Sequence, residues 1–171
     1  IVGAERGWIT REQSMTQIRK IVRFLGKAER FRGVWSHWYN PDGTAHPFGD
    51  QVKTGDLIET SFMMAGLLTA KEYFTGNSEI EAEIRDSVES FKNTINWRFY
   101  TKNENVLYWL WYSQENRFAL QIRGWNEGLI CYILALGAPE PHNITPEVYA
   151  NGWLNNGAIV HLERKHYGYT L

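Results

Sequence analysis

Two segments of this chain are apolar on nearly every side, and they restrict the possible folds more than any other feature. One covers residues 56–74, and the other covers residues 129–136. A helix without a polar face has nothing to present to water, so it should be covered by protein on all sides. Each segment therefore predicts a buried, inner helix. Each also carries acids in its first turn, namely Asp56 and Glu59 in the first helix and Glu127 in the second.

Helices with a single apolar stripe alternate with these inner helices. Thr10 and Gln13 predict a capping box at the start of the first outer helix, and Ser78 and Glu81 predict another at the start of the second. Thr145-Pro146 would open a third, because proline is favoured at the first helical position. Two long aromatic loops separate the first two outer helices from the inner helices that follow them. The first aromatic loop covers residues 31–55, and the second covers residues 97–121. This order is typical of an (α/α) barrel, so we expect an all-α fold.

The second aromatic loop contains a strong β-strand signal. Residues 106–113 are rich in residues that favour strands, and residues 114–116 could turn the chain onto residues 118–122. We therefore expect a small β-hairpin within this loop. Three outer and two inner helices cannot close a ring, and the chain begins without an initiator methionine. We expect residues 1–171 to be one partial (α/α)-barrel domain, truncated at both ends.

Composition excludes several classes of function. The net charge of 171 residues is −1 and the pI is about 6.6, so no basic surface for nucleic acid is expected. The longest nearly uncharged run is too short to cross a bilayer. Cys131 lies in an apolar run and is predicted to be a core residue. The five histidines lack zinc-site spacing, and no glycine-rich phosphate loop occurs, so we expect neither a metal nor a cofactor.

The three acids suggest one kind of chemistry. Asp56 and Glu59 are three positions apart, which places their Cβ atoms roughly 5–6 Å apart on one helix face. Glu127 should lie at the same end of the fold. Burial and like charge can keep one carboxylic acid protonated, while a second carboxylate activates water. Two such carboxylates carry out glycoside hydrolysis. The alternative is that these acids only cap their helices.

Aromatic and hydrogen-bonding residues near these acids are the candidates for binding a sugar, because the C–H faces of a pyranose stack on aromatic rings. They are Trp35, His37, Trp38, Trp109, Trp111, Arg123 and Trp125. The alternatives are that the tryptophans fill the core or anchor loops, that His37 is a solvated turn residue, and that Arg123 pairs with Glu127 or another nearby carboxylate.

Several motifs resemble a known family and cover nearly the whole chain. They are ERGWITREQ, FLGKAERFRGVWSHWYNPDG, GDLIETSFMMAGLL, VLYWLW, IRGWNEGLICYILA and PEVYANGW. Together they resemble the bacterial glycoamylase-like family, which is similar to and partly overlaps glycoside hydrolase family 144, the β-1,2-glucanases. The resemblance implies part of an (α/α)6 barrel, inverting hydrolysis of β-1,2-glucan or its oligosaccharides, and a periplasmic or cell-envelope location.

The resemblance also implies roles for the acids. Glu127 falls on the acid of the RGWNE motif, the general acid, and Asp56 and Glu59 fall on the acids of the DLxET motif. This chain departs from the pattern just before that motif, where DQVKT replaces a more acidic and glycine-rich stretch, so a further carboxylate is expected to be missing. The family domain is more than twice as long, which implies that part of the cleft lies outside this chain.

Three other functions compete with this one. A glucoamylase would cleave α-glucan, and a non-catalytic glycan-binding protein would use the same aromatic residues without hydrolysis. An (α/α) barrel acting on an isoprenoid would need an aspartate-rich metal motif on an inner helix, and the sequence has none. Release of a sugar product separates the hydrolase from the binding protein.

Overall fold

The helices and strands described below come from a computed structural model. It describes residues 1–48, 52–124 and 126–155, together with the backbone of two short strands, β8 and β9. Helices account for most of the regular structure in these ranges. They are α1 (Val2–Glu5), α2 (Arg11–Lys27), α3 (Leu57–Tyr73), α4 (Glu79–Thr94), α5 (Leu129–Leu136) and α6 (Pro146–Tyr149), with a 3₁₀ turn at Phe99–Thr101 and a π-helical turn at Ala150–Leu154.

More β-structure is present than the single hairpin predicted. The strands are β1 (Arg30–Phe31), β2 (Val34–Trp35), β3 (Trp38–Tyr39), β4 (Ala45–His46), β5 (Thr54–Asp56), β6 (Tyr108–Tyr112), β7 (Arg117–Gln121), β8 (Lys165–His166) and β9 (Tyr169–Thr170). They pair as β1–β2, β3–β4 and β8–β9 and as one three-stranded antiparallel sheet in the order β5–β6–β7. The expectation of an all-α fold with one small hairpin is therefore right for the long elements and incomplete for the loops.

The long helices pack as the alternation of outer and inner helices predicts. The amphipathic helices α2 and α4 lie against each other, the apolar helices α3 and α5 lie against each other, and α3 also packs on α4. The apolar stripes of α2 and α4 enter the core through Val22, Leu25, Ile84, Val88 and Phe91. Both inner helices begin on the side of the fold where the aromatic loops lie, which brings the candidate acids to one end.

The inner helices are not covered on every side by the described residues. Leu57, Met64 and Leu67 of α3 are buried as predicted. Ile133 of α5, however, is 57% exposed, and Phe62 and Met63 of α3 are also exposed. Within the described ranges, burial is therefore confirmed for one face of each inner helix, and the other face is exposed, as expected for part of a barrel.

Capping chemistry starts the outer helices where the sequence predicts. Thr10 Oγ1 accepts a hydrogen bond from the Gln13 N–H at 3.0 Å, and Gln13 Oε1 accepts one from the Thr10 N–H at 2.8 Å. This complete capping box satisfies two of the unpaired N–H groups at the start of α2. The third predicted outer helix does begin with Pro146, but α6 lasts a single turn before it widens into the π-helical turn.

The predicted box at the start of α4 forms differently. Ser78 Oγ accepts from the Glu81 N–H at 3.3 Å, as expected. The Glu81 carboxylate does not return to the Ser78 N–H. It accepts instead from the Gly76 N–H at 3.2 Å and from Arg11 of α2 at 2.6 Å. The Arg11 guanidinium therefore donates to Glu81 where a complete capping box would have the Ser78 N–H, and this contact links α2 to α4.

These contacts predict how stability depends on pH. The hydrogen bond from Arg11, followed by the one from Ser78, lowers the pKa of Glu81 to about 2. A depressed folded-state pKa stabilises the fold above the ordinary value of 4.5, and this contribution is lost as pH falls from 4.5 to about 2. We expect Glu81→Gln to lower Tm at pH 7 and to have little effect near pH 2. Glu79→Gln, on the same helix turn, is the control, and an equal Tm loss for Glu81→Gln at both pH values would contradict the prediction.

The β-hairpin is confirmed, and it rests on an unexpected third strand. Tyr112 pairs with Arg117 across the turn that residues 113–116 form. Strand β5 pairs with β6 through Thr54 with Tyr112 and Asp56 with Leu110. Since Asp56 is both the last residue of β5 and the N-cap of α3, the hairpin is attached directly to the start of an inner helix.

No helix among the described residues is both long enough and apolar enough to span a bilayer.

Candidate active site

Asp56 lies at the centre of the candidate site and is completely buried, with 0% of the residue exposed. Its Oδ1 accepts hydrogen bonds from the Glu59 N–H at 3.0 Å and from Trp109 Nε1 at 2.7 Å. Its Oδ2 lies 2.7 Å from His37 Nδ1. The first contact caps α3, and the other two reach into the two aromatic loops. The cap matches the alternative in which the acids cap their helices, and nothing in the sequence indicates that one carboxylate holds both loops.

The strands bring these partners to Asp56. Trp109 stands on β6 next to Leu110, the residue that pairs with Asp56 across the sheet. His37 lies between β2 and β3, in the loop that passes over the start of α3. The imidazole ring of His37 stacks on the ring of Phe48, with the two centroids 4.2 Å apart. The ring of Trp38 meets the same imidazole edge-on at a centroid distance of 5.0 Å. His37 is therefore a fixed residue and not a solvated turn neighbour.

Glu59 and Asp56 lie in different environments although they are three positions apart. Glu59 is exposed, whereas Asp56 is buried. Glu59 lines a cavity of about 440 Å³ between α2 and α3, and His37 and Thr60 line it as well. Of the two acids predicted on α3, only Glu59 can meet a solvent-borne ligand within the described residues.

Glu127 is not in the first turn of α5, contrary to the prediction. Helix α5 begins at Leu129 with Gly128 as its N-cap, and Glu127 is exposed in the turn before it. Asn126 explains the shift, because its Oδ1 accepts from the Gly128 N–H at 2.9 Å and its Nδ2 donates to the Arg123 carbonyl at 2.7 Å. Asn126 therefore organises the turn, and the Glu127 side chain is not engaged as a helix cap.

Arg123 and Trp125 precede Asn126 in the sequence. Arg123 Nε donates to Gln121 Oε1 at 2.8 Å, so the alternative pairing with Glu127 is not formed in the described part of the chain. Trp125 lies outside the described residues.

The four candidate tryptophans that the structure describes divide into two exposed or half-buried rings and two core rings. Trp38 is 51% exposed, and Trp109 is half-buried against Asp56. Trp35 is 3% exposed, donates from Nε1 to the Leu25 carbonyl at 3.2 Å, and meets Phe91 edge-on at 5.1 Å. Trp111 is buried and packs on Phe99 at 4.7 Å. A ring packed in this way has no face for a sugar, so burial favours the loop-anchor alternative for Trp35 and Trp111.

Two buried tyrosines support the site and were not anticipated. Tyr132 accepts from the Leu107 N–H at 3.0 Å and donates to the Ile122 carbonyl at 3.0 Å, which ties both ends of the hairpin to α5. Tyr100 donates to the Phe31 carbonyl at 3.0 Å, and burial followed by the charge of Asp56 raises its pKa. Tyr132 is a hydroxyl within an otherwise apolar run and Tyr100 stands beside polar residues, so the partners of neither hydroxyl can be predicted without the tertiary contacts.

Cys131 is a core residue, as predicted. Its Sγ lies 3.1 Å from Ser61 Oγ, and burial raises the pKa of the thiol to about 12, with a smaller contribution from the charges of Asp56 and Glu127. A thiol with that pKa stays protonated at neutral pH and is a poor nucleophile. No group of three or more His, Cys, Asp or Glu side chains in the described ranges could hold a metal ion.

Several known proteins are similar to this chain. No protein-family profile matches the chain. An exo β-1,2-glucooligosaccharide sophorohydrolase (non-reducing end) of Parabacteroides distasonis is 40% identical over 161 residues, which is 90% of this chain and 22% of that protein. An endo-β-1,2-glucanase of Chitinophaga pinensis, solved with sophorotriose and glucose, superposes with a TM-score of 0.85 and 42% identity over 99% of this chain and 41% of that one.

A third relative carries a different description. A protein of Bacteroides uniformis, provisionally described as a glucoamylase, superposes with a TM-score of 0.89 and 37% identity over 99% of this chain and 42% of that one. This chain therefore spans less than half the length of each of these three relatives. The first two of them confirm the resemblance to β-1,2-glucan hydrolases that the sequence motifs indicate.

Proposed function

We propose that this chain is the acid-bearing part of an inverting glycoside hydrolase that cleaves β-1,2-glucan or its oligosaccharides. The observation that carries the proposal is the similarity, over at least 90% of the chain, to relatives named as β-1,2-glucan hydrolases. The site is compatible with it, because exposed carboxylates and an exposed indole gather where both inner helices begin. We further propose a glycoside hydrolase family 144 domain, built as part of an (α/α)6 barrel, in the periplasm or cell envelope.

The proposed mechanism uses the two exposed acids. Glu127 donates a proton to the glycosidic oxygen as that bond breaks. A carboxylate on the opposite side of the sugar removes a proton from the attacking water, and Glu59 is its candidate in this chain. Inversion follows because water attacks the anomeric carbon from the face opposite the leaving group. The exposed position of both side chains supports these roles, since each can reach a bound ligand.

The reaction itself tests this function. The protein as it occurs in its source organism is incubated with linear β-1,2-glucan, and the products are followed by ¹H NMR. We expect β-1,2-linked oligosaccharides whose new reducing ends first appear as the α-anomer. Release of glucose from an α-1,4-glucan, with no product from the β-1,2-glucan, would instead indicate a glucoamylase. Binding of β-1,2-glucan without any product would support a glycan-binding protein.

Trp38 gives a separate prediction about sugar binding. Its ring is half exposed beside His37, so it can stack on a sugar ring, whereas Trp35 in the same loop is buried. We expect Trp38→Ala to weaken binding of a β-1,2-linked oligosaccharide by about 1 kcal/mol, roughly fivefold in Kd, without lowering Tm. Trp35→Ala should lower Tm by leaving a cavity in the core. Unchanged affinity in a folded Trp38→Ala protein, measured by calorimetry, would remove Trp38 from the binding site.

A further inference from the structure

A single buried carboxylate joins the two aromatic loops of the site. His37 belongs to the first loop and Trp109 to the second, and both lie 2.7 Å from oxygens of Asp56. A third contact, from the Glu59 N–H, fixes the same carboxylate to the start of α3. Asp56 is therefore the point at which both loops and an inner helix are held in one geometry.

Burial separates the role of Asp56 from that of the other two acids. No part of Asp56 is exposed, and both of its oxygens are hydrogen-bonded to nitrogen atoms. Glu59 and Glu127 are exposed. A general acid or base must come within hydrogen-bond reach of the proton that it transfers. Asp56 has no such access in this arrangement, so its influence on a ligand has to pass through the groups that it holds.

His37 is the group through which that influence can act. An aspartate carboxylate has no hydrogen to donate, so the hydrogen in the Asp56–His37 contact belongs to Nδ1. A neutral imidazole with its hydrogen on Nδ1 presents Nε2 as an acceptor. The His37 side chain is 20% exposed and lines the same cavity as Glu59, and the Phe48 ring restricts its rotation.

We propose that Asp56 is a positioning residue for sugar binding and does not itself exchange protons with the substrate. It holds His37 with Nε2 free to accept a hydrogen bond from a hydroxyl group of a β-1,2-linked glucosyl unit. The same carboxylate holds the indole of Trp109 in a fixed orientation beside that unit. This inference rests on the proposed function for the identity of the sugar.

Asp56→Asn tests the link. The asparagine oxygen can still accept from Glu59 and Trp109, but its NH₂ group then faces His37 Nδ1. The imidazole must accept that hydrogen bond, which moves its own hydrogen to Nε2. We expect the ¹⁵N NMR signals of His37 to show this change of tautomer. We also expect Kd for a β-1,2-linked oligosaccharide to rise about tenfold, the effect of one hydrogen bond, and kcat to fall less than KM rises.

His37→Asn provides the matched variant. Asparagine keeps a donor close to the position of Nδ1, so the contact with Asp56 survives, but it has nothing at the position of Nε2. We expect a rise in Kd at least as large as in Asp56→Asn, because in that variant a sugar hydroxyl can still accept a hydrogen bond from the Nε2–H. The double variant should bind the oligosaccharide no more weakly than His37→Asn, because both lack the group at the position of Nε2. If Asp56→Asn unfolds the protein, His37→Asn still gives the binding result.

The opposite results overturn the proposal. A loss of 10²-fold or more in kcat for Asp56→Asn that persists unchanged when His37 is also replaced would show direct proton transfer by Asp56. Unchanged affinity in His37→Asn would show that Nε2 does not bind the sugar. The NMR measurement needs no activity, so a protein that shows the predicted tautomer change but cleaves no β-1,2-glucan would contradict the proposed function and not the Asp56–His37 link.

Discussion

Glu127→Gln is expected to lower turnover of β-1,2-glucan by at least about 10²-fold while leaving the fold and glucan binding intact. Glutamine has nearly the shape of glutamic acid and can still form hydrogen bonds, but it carries no transferable proton. The Glu127 side chain is exposed and does not cap α5, so its replacement removes no contact on which the helix depends. The effect should therefore appear in kcat and leave Tm unchanged.

The matched control is Glu79→Gln, which makes the same chemical change at an exposed position on the outer helix α4. It should leave kcat unchanged. Steady-state kinetics on linear β-1,2-glucan, together with thermal unfolding, compares the two variants. Near wild-type turnover in Glu127→Gln would leave the residue without a role in proton transfer and would direct attention to Glu59.

Gly33→Ala is expected to be strongly destabilising although it adds a single methyl group. Gly33 lies in the turn between β1 and β2 with φ of +87°, and an added Cβ would overlap the carbonyl group of Thr94 and approach Ile95 Cα at 2.7 Å. The backbone at the end of α4 cannot yield as a flexible side chain would. Overlap and left-handed strain together should lower the free energy of unfolding by about 3 kcal/mol or more.

Gly7→Ala separates the effect of left-handed backbone strain from the effect of steric overlap. Gly7 also has a positive φ, of +70°, but an added Cβ meets nothing within 4 Å. It should show only the conformational penalty of about 1–2 kcal/mol. Urea unfolding of both variants gives the comparison. If both variants lose the same free energy of unfolding, the close packing of Gly33 against the end of α4 contributes nothing to the destabilisation of Gly33→Ala.

The parts of this structure that depend on local chemistry could be predicted from the sequence. The Thr10 box, the hairpin and the helices with one apolar stripe are determined by residues only a few positions apart. The start of α5 was misplaced because Asn126 forms a turn of its own, and a side chain that bonds its own backbone competes with the helix. Strand β5 was missed because Thr-Gly-Asp has little strand preference and pairs only through the distant β6.

The candidate site shows the same division between local and distant information. The sequence identified the three acids and both aromatic loops. It could not separate Trp35 from Trp38, which lie three positions apart in one loop, because burial depends on Phe91 and Leu25 of other elements. Nor could it show that Asp56 is buried under His37 and Trp109, since those contacts join residues 19 and 53 positions away.

The attachment of the hairpin to α3 also determines where this fold can change without losing its site. Pairing holds the hairpin from Asp56 outward to the contact of Tyr112 with Arg117. Beyond that pair the chain turns through residues 113–116, most of which are exposed. Insertions at that tip would extend the hairpin away from Asp56 and leave its three hydrogen bonds in place. Relatives could thus acquire different substrate lengths or cleavage patterns by lengthening one turn while the acids keep their positions.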